Sequence, residues 1–188
     1  MITKPDTKFF LAESFKELSQ KKPIDKITVK EIVQNCGLTS PTFYNHFKDK
    51  YDLIAWIYSK PIENFVNQMN VDDYKIKNAI FDIVKYFFDN RDFLKNLLVN
   101  TGGQNSFINY VAQFHIKILS DYVKRTQKIK NLSPATEISI KIYCYGTVCT
   151  LCEFIIKPFE ISVEELANFF EIALPEPLKK YFYKSAEK

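Results

Sequence analysis

Apolar residues recur along most of this chain at three- and four-residue intervals, the spacing that gathers them on one side of an α-helix. Leu11, Ala12, Phe15 and Leu18 form such a stripe between Thr7 and Gln20, and Lys21-Lys22-Pro23 stops it. Ile24 and Ile27 then lead into Thr28-Val29-Lys30-Glu31, a capping box that opens a short helix with Val29, Ile32 and Val33 inward. Gly37 ends that helix, since glycine takes a positive φ at little cost. Thr39 caps a third helix, where Pro41 is tolerated in the first turn, and Phe43 and Phe47 share its inner face. Asp49 caps a long fourth helix carrying Leu53, Ile54, Trp56, Ile57 and Phe65, with a kink expected at Pro61.

Beyond a boundary at Val71-Asp72-Asp73 the pattern predicts five more helices. They cover Ile76 to Phe88, Phe93 to Val99, a stripe of Phe107, Val111, Phe114, Ile118 and Tyr122, then Pro134 to Ile156, and Ser162 to Leu174. Thr101 to Asn105 reads as a loop, Pro158 as a terminator, and Ser162-Val163-Glu164-Glu165 as a second capping box. Pro175 and Pro177 lead into a tail. The prediction is an all-α chain of about nine helices. A three-helix helix-turn-helix domain occupies residues 1–50, a connecting helix 49–70, and a helical bundle for dimerisation and effector binding 71–188.

Composition narrows the class. With 46% hydrophobic and 26% charged residues in 188, the chain has the balance of an ordinary globular protein, not a disordered one. The net charge of +4 is modest, but residues 1–60 hold ten Lys against seven acids, so the surplus is concentrated in the first third. The N-terminus lacks the apolar run of an export signal, and no run of about 18 uninterrupted apolar residues is present. Four cysteines without framework spacing fit reduced thiols, so a cytoplasmic bacterial protein without a membrane partner is expected.

The segment TVKEIVQNCGLTSPTFYNHFKDK, Thr28 to Lys50, is a capped helix, a tight turn and a second short helix with a small, polar outer side. A helix entering the major groove needs that profile. Between Thr39 and Lys50 the one acid is Asp49, which serves as a cap. Lys48 and Lys50 suit phosphates, and Asn45 is the best base reader, because its amide pairs bidentately with adenine. Thr28, Gly37, Leu38, Thr39, Thr42, Phe43, Tyr44, Phe47 and Lys50 together resemble the pattern of the TetR family of regulators over about 50 residues. That resemblance implies phosphate contacts from Thr28, Thr39, Tyr44, His46 and Lys50, and base contacts from Ser40, Pro41, Thr42 and Asn45. Pro41 departs from the small residue frequent there, but its ring can touch a thymine methyl.

From Tyr74 onward nineteen of 115 residues are aromatic, and most of these belong in a core. The family resemblance implies an effector cavity among the middle helices, for which Tyr86, Phe87, Phe107, Tyr110, Phe114 and Tyr143 are candidates. It also implies a homodimer built on the last two long helices. Ile142, Tyr145, Gly146, Cys149, Cys152 and Phe169 are the candidate interface residues, on a helix expected to be buried nearly all round. GTVCTLCEFIIKP followed by SVEEL is similar to a Firmicute subgroup of the family that includes an activator of dihydroxyacetone kinase genes, which answers to a protein co-activator. Expected partners are therefore double-stranded operator DNA, a second copy, and either a small-molecule effector or a protein co-regulator.

Catalysis is not expected. The sequence has no nucleophile elbow, phosphate loop or metal-binding helix signature. Cys149-Thr150-Leu151-Cys152 spells CxxC, but it lacks the βαβ setting of a redox pair, and His46 and His115 are too remote to complete a zinc site. No metal or cofactor is expected. The cysteines read as packing groups, with a redox switch among Cys144, Cys149 and Cys152 as the alternative.

Overall fold

The structure, a computed structural model, describes residues 6–100, 104–157 and 159–183, without the side chains of 104–106. Ten α-helices are present among these: α1 Thr7–Ser19, α2 Val29–Asn35, α3 Ser40–Tyr44, α4 Lys50–Gln68, α5 Ile76–Asp89, α6 Arg91–Asn100, α7 Gln104–Gln127, α8 Pro134–Ile156, α9 Val163–Ile172 and α10 Glu176–Phe182. A 3₁₀ turn at Ile24–Lys26 links α1 to α2. No strand occurs among the described residues.

The expected local signals operate. Thr28 and Glu31 form a reciprocal capping box at α2, as do Ser162 and Glu165 at α9. Gly37, at φ 68°, closes α2 in a Schellman motif: Leu38 N donates to Val33 O at 2.8 Å and Gly37 N to Gln34 O at 3.3 Å. Asp49 caps α4 by accepting from Tyr51 N and Asp52 N.

α4 runs through Pro61 as one helix. Proline cannot donate to the carbonyl four residues back, which is that of Ile57. The Tyr86 hydroxyl of α5 donates to that carbonyl instead, at 3.5 Å, so tertiary structure supplies what the helix lacks.

Two expectations change. Pro175 and Pro177 lead into a tenth helix rather than a tail: proline is compatible with a first helical turn, and Leu178 anchors α10 with no exposed surface. The sequence loop at Thr101 to Asn105 contributes Gln104 and Asn105 to α7, while 101–103 lie outside the described residues, as does Pro158.

α1, α2 and α3 pack together on the N-terminal end of α4 around Leu11, Phe15, Ile32, Phe43 and Leu53, all fully buried. The rest of α4 enters the second half, where α5 lies on α9 and α7 on α8. α6 reaches back to touch α1 and the 3₁₀ turn. By length and composition α8 is apolar enough to cross a membrane, although Glu137, Lys141 and Glu153 interrupt it, and Ile140, Cys144, Val148, Leu151 and Ile155 on its inner side are core of this chain.

Candidate DNA interface and effector cavity

α3 lies on the surface. Phe43 and Phe47 are buried beneath it, their rings 5.8 Å apart, and Phe47 meets Trp56 of α4 at 6.0 Å. That underside fixes the outer side. Thr28, Thr39, Pro41, Tyr44, Asn45, His46 and Lys48 are exposed, and Ser40 and Thr42 partly so. The Thr39 hydroxyl caps α3 and shares a 2.9 Å hydrogen bond with the Thr42 hydroxyl. The helix ends at Tyr44, shorter than the sequence stripe suggested, so Asn45 is its C-cap and Phe47 lies in the following turn.

Lys50 requires a correction. Its Nζ donates to the carbonyls of Ile24, Asp25 and Ile27 at 3.0, 2.7 and 2.9 Å. All three ammonium protons are therefore engaged inside the chain, whereas the sequence placed them on phosphate. Burial lowers the Lys50 pKa, and the charge is held by carbonyl dipoles. Lys48 has the exposed ammonium.

The same 3₁₀ turn is held from the other side by α6. Asn96 Oδ1 accepts from Ile24 N at 3.1 Å, and its Nδ2 donates to Ser19 O and Lys22 O at 2.8 and 3.1 Å. Phe93, one turn earlier, meets Phe15 edge-on at 6.2 Å.

Five of the six aromatics expected in a cavity instead surround one residue. The rings of Tyr86, Phe87, Phe107, Tyr110 and Phe114 stand 5.9–6.5 Å from that of Tyr58, which is fully buried on α4. The cavity lies beside this cluster, and of the six only Tyr143 lines it. Large rings fill space; the void remains where side chains are smaller. Its walls are Ile62 and Val66 of α4 with Met69 just past its end, Ile76, Ala79, Ile80 and Ile83 of α5, Ile118 and Leu119 of α7, Leu151 of α8, and Phe170 and Leu174 at α9. His115, Tyr143, Cys144 and Thr147 are its remaining lining groups.

Tyr58 Oη and His115 Nε2 lie 2.7 Å apart, tying α4 to α7. Burial pushes the His115 pKa down to about 4. Neither residue emerged from the sequence reading as functional. The available signal was a histidine on the apolar stripe of α7, flanked by Val111, Ile118 and Leu119.

On α8 the expected interface separates into two sides. Ile138 and Ile142 are 57% and 66% exposed, and Gly146 is exposed with open space where a Cβ would sit. Tyr145 and Cys149 are partly exposed, and Phe169 of α9 is 59% exposed. Cys152 is completely buried and faces the chain's own core, so its assignment to a subunit interface is corrected. The expectation of a helix buried all round is corrected with it, for a single chain. Burial pushes the thiols of Cys144 and Cys152 up to about 12, which keeps them protonated and poorly reactive. No cluster of three or more His, Cys, Asp and Glu side chains suited to a metal occurs among the described residues.

A capped helix, a Schellman turn and an outward second helix, carried on a helical body with an internal cavity, define a helix-turn-helix transcription regulator. Residues 15–57 match the model for bacterial regulatory proteins of the tetR family, and residues 74–175 match that for a transcriptional regulator C-terminal region. The chain belongs to the TetR family. The dhaKLM operon transcriptional activator DhaS of Lactococcus lactis is 29% identical over 93 residues, covering 50% of this chain and 49% of that protein. This match thus spans about half of the relative. An HTH-type transcriptional regulator of Staphylococcus aureus is 21% identical over 160 residues, 81% of this chain and 84% of its own. Among solved structures, DhaS shares the fold with a TM-score of 0.68 at 22% identity, covering 94% of this chain and 98% of that one. A TetR regulator from Rhodococcus does so at 0.60 and 13% identity, covering 93% and 98%.

Proposed function

We propose that this TetR-family regulator acts as a non-enzymatic, cytoplasmic homodimer on a pseudo-palindromic operator, with residues 1–50 as the reading head and 71–188 as the dimerisation and effector domain. The observation that carries this reading is the outer face of α3. It is small, polar and free of acid, while Phe43 and Phe47 hold its underside in the core. In the complex Asn45, with Ser40, Pro41 and Thr42, meets base edges; Thr28, Thr39, Tyr44, His46 and Lys48 meet phosphates. The second copy docks on the exposed stripe of Ile138, Ile142 and Gly146 with Phe169. Two-fold symmetry then sets the reading helices about 34–36 Å apart.

An effector bound in the second domain changes operator affinity by favouring one spacing of the heads. Repression is the first reading, since a dimer seated on an operator blocks it. The likeness to DhaS, an operon activator by name, favours a second: activation, with a protein co-regulator in place of a small ligand. Gel shifts with genomic fragments at physiological salt test the reading. Sequence-preferring binding by two chains per site supports it, and uniform weak binding to every fragment refutes it. Stoichiometric co-purification of a second protein would select the co-regulator form.

A further inference from the structure

The cavity between α4, α5, α7, α8 and α9 contains no Asp, Glu, Lys or Arg among its described lining residues. Its surface is mainly aliphatic, from Ile62, Val66, Ile80 and Leu151 among others. A carboxylate or ammonium entering such a site would lose its hydration and meet no opposite charge, a loss that a small ligand cannot recover. A charged effector is thereby selected against.

The polar groups at the wall are mostly engaged. Tyr143 Oη donates to Phe170 O at 2.9 Å, and Thr147 Oγ1 donates to Tyr143 O at 2.9 Å. His115 spends Nε2 on Tyr58, and its Nδ1 has no hydrogen-bond partner among the described residues. Among the described residues no side-chain nitrogen or oxygen that is sealed from solvent goes unpaired, so Nδ1 is reachable rather than enclosed. The imidazole is neutral at ordinary pH, because burial holds its pKa near 4, and so offers one donor and one acceptor.

We propose that this cavity takes an uncharged, mainly apolar small molecule bearing one hydroxyl or carbonyl, which hydrogen-bonds the His115 nitrogen that Tyr58 leaves free. The inference rests on the effector reading above and narrows it to a chemical class. The cavity holds about 60 Å³, well below the roughly 150 Å³ of an apolar cavity that admits benzene. A ligand of ring size must therefore part the walls. One wall is Ile62, Val66 and Met69 of α4 or its end, and α4 begins at the reading head. Ligand entry thus displaces the helix on which the head is mounted.

Methyl NMR on the intact protein, labelled at isoleucine, tests this directly, since Ile62, Ile76, Ile80, Ile83 and Ile118 line the site. The probes are cyclohexanol, cyclohexanecarboxylate, cyclohexylammonium and methylcyclohexane at pH 7.5. Cyclohexanol should shift these methyls saturably and bind at least tenfold more tightly than either ion. His115→Leu should weaken cyclohexanol about fivefold and leave methylcyclohexane unchanged. Ala79→Leu, which fills the cavity, should weaken both neutral probes and provides the test if His115→Leu does not fold. An ion binding as tightly as the alcohol, absence of a saturable alcohol shift at these methyls, or full alcohol affinity in both variants overturns the proposal. Duplex binding by the same samples is scored separately. Its persistence alongside a negative probe result condemns the cavity assignment alone, whereas its absence condemns the regulator reading.

Discussion

The side-chain amide of Asn96 accepts a hydrogen bond from the backbone N–H of Ile24 at 3.1 Å, across 72 residues of sequence. The carbonyl of that same Ile24 accepts from Lys50 Nζ at 3.0 Å. The 3₁₀ turn is thus gripped by α6 of the second half and by the first residue of α4. Each grip satisfies backbone groups that a three-residue turn cannot satisfy for itself.

Asn96→Ala removes four hydrogen bonds and leaves Ile24 N, Ser19 O, Lys22 O and Asn100 Nδ2 without this partner. A loss of about 1–3 kcal/mol is expected, the usual penalty for unsatisfied polar groups. Urea denaturation measures it. An unchanged midpoint contradicts the clamp.

Lys48 and Lys50 should behave differently although both are lysines at the edge of the head. Lys48→Met should weaken DNA binding across all sequences and reduce the salt slope by about one unit. Lys50→Met should lower thermal stability and leave that slope unchanged, since its ammonium is committed to three carbonyls. Salt-dependent binding titrations on the two variants decide the matter.

Two groups give stability a pH dependence with separable windows. The Lys22 ammonium, with the Thr28 backbone and hydroxyl, holds the Glu31 carboxyl down at about 2 from an ordinary 4.5. A depressed carboxylate favours the folded state above the unfolded value, so this contribution is lost as pH falls from about 4.5 toward 2. His115, depressed to about 4 from 6.5, binds its proton more readily in the unfolded chain. Its effect is therefore falling stability as pH drops from about 6.5 to 4, with no slope from this group above that window. Glu31→Gln should flatten the lower window and His115→Leu the upper, read as melting temperature against pH.

Ile142→Asp places a carboxylate in the middle of the exposed α8 stripe, twice per two-fold interface. The expected outcome is a monomer by sedimentation, with far-UV circular dichroism unchanged because Ile142 is 66% exposed in the single chain. A dimer of unchanged mass contradicts the assignment of this face.

Helix positions were largely legible in the sequence because capping boxes, Gly37 and the apolar periodicity act locally. Thr28 with Glu31 forms the same box in the fold that the letters spell. The outward placement of α3 was legible for the same reason: Phe43 and Phe47 mark an underside and so define an outside. Lys50 was not, because its partners are carbonyls of a turn 23 to 26 residues away and carbonyls leave no trace in sequence. The cavity was misplaced for a related reason. Aromatic residues advertise a site, but around Tyr58 they close on one another, and the space lies between aliphatic walls that look like any core. The two sides of α8 were hidden by its being apolar all round, so that Cys152 and Ile142 could not be told apart.

Selection of the full-length protein from a pool of random duplexes tests the central claim most directly. The account predicts enrichment of two inverted half-sites spaced one helical turn apart, and Asn45→Ala should relax preference at one position of each half by about 1–3 kcal/mol. A pool that remains random, or an Asn45→Ala variant that selects the parent's motif unaltered, contradicts the assignment of α3 as the element that reads DNA.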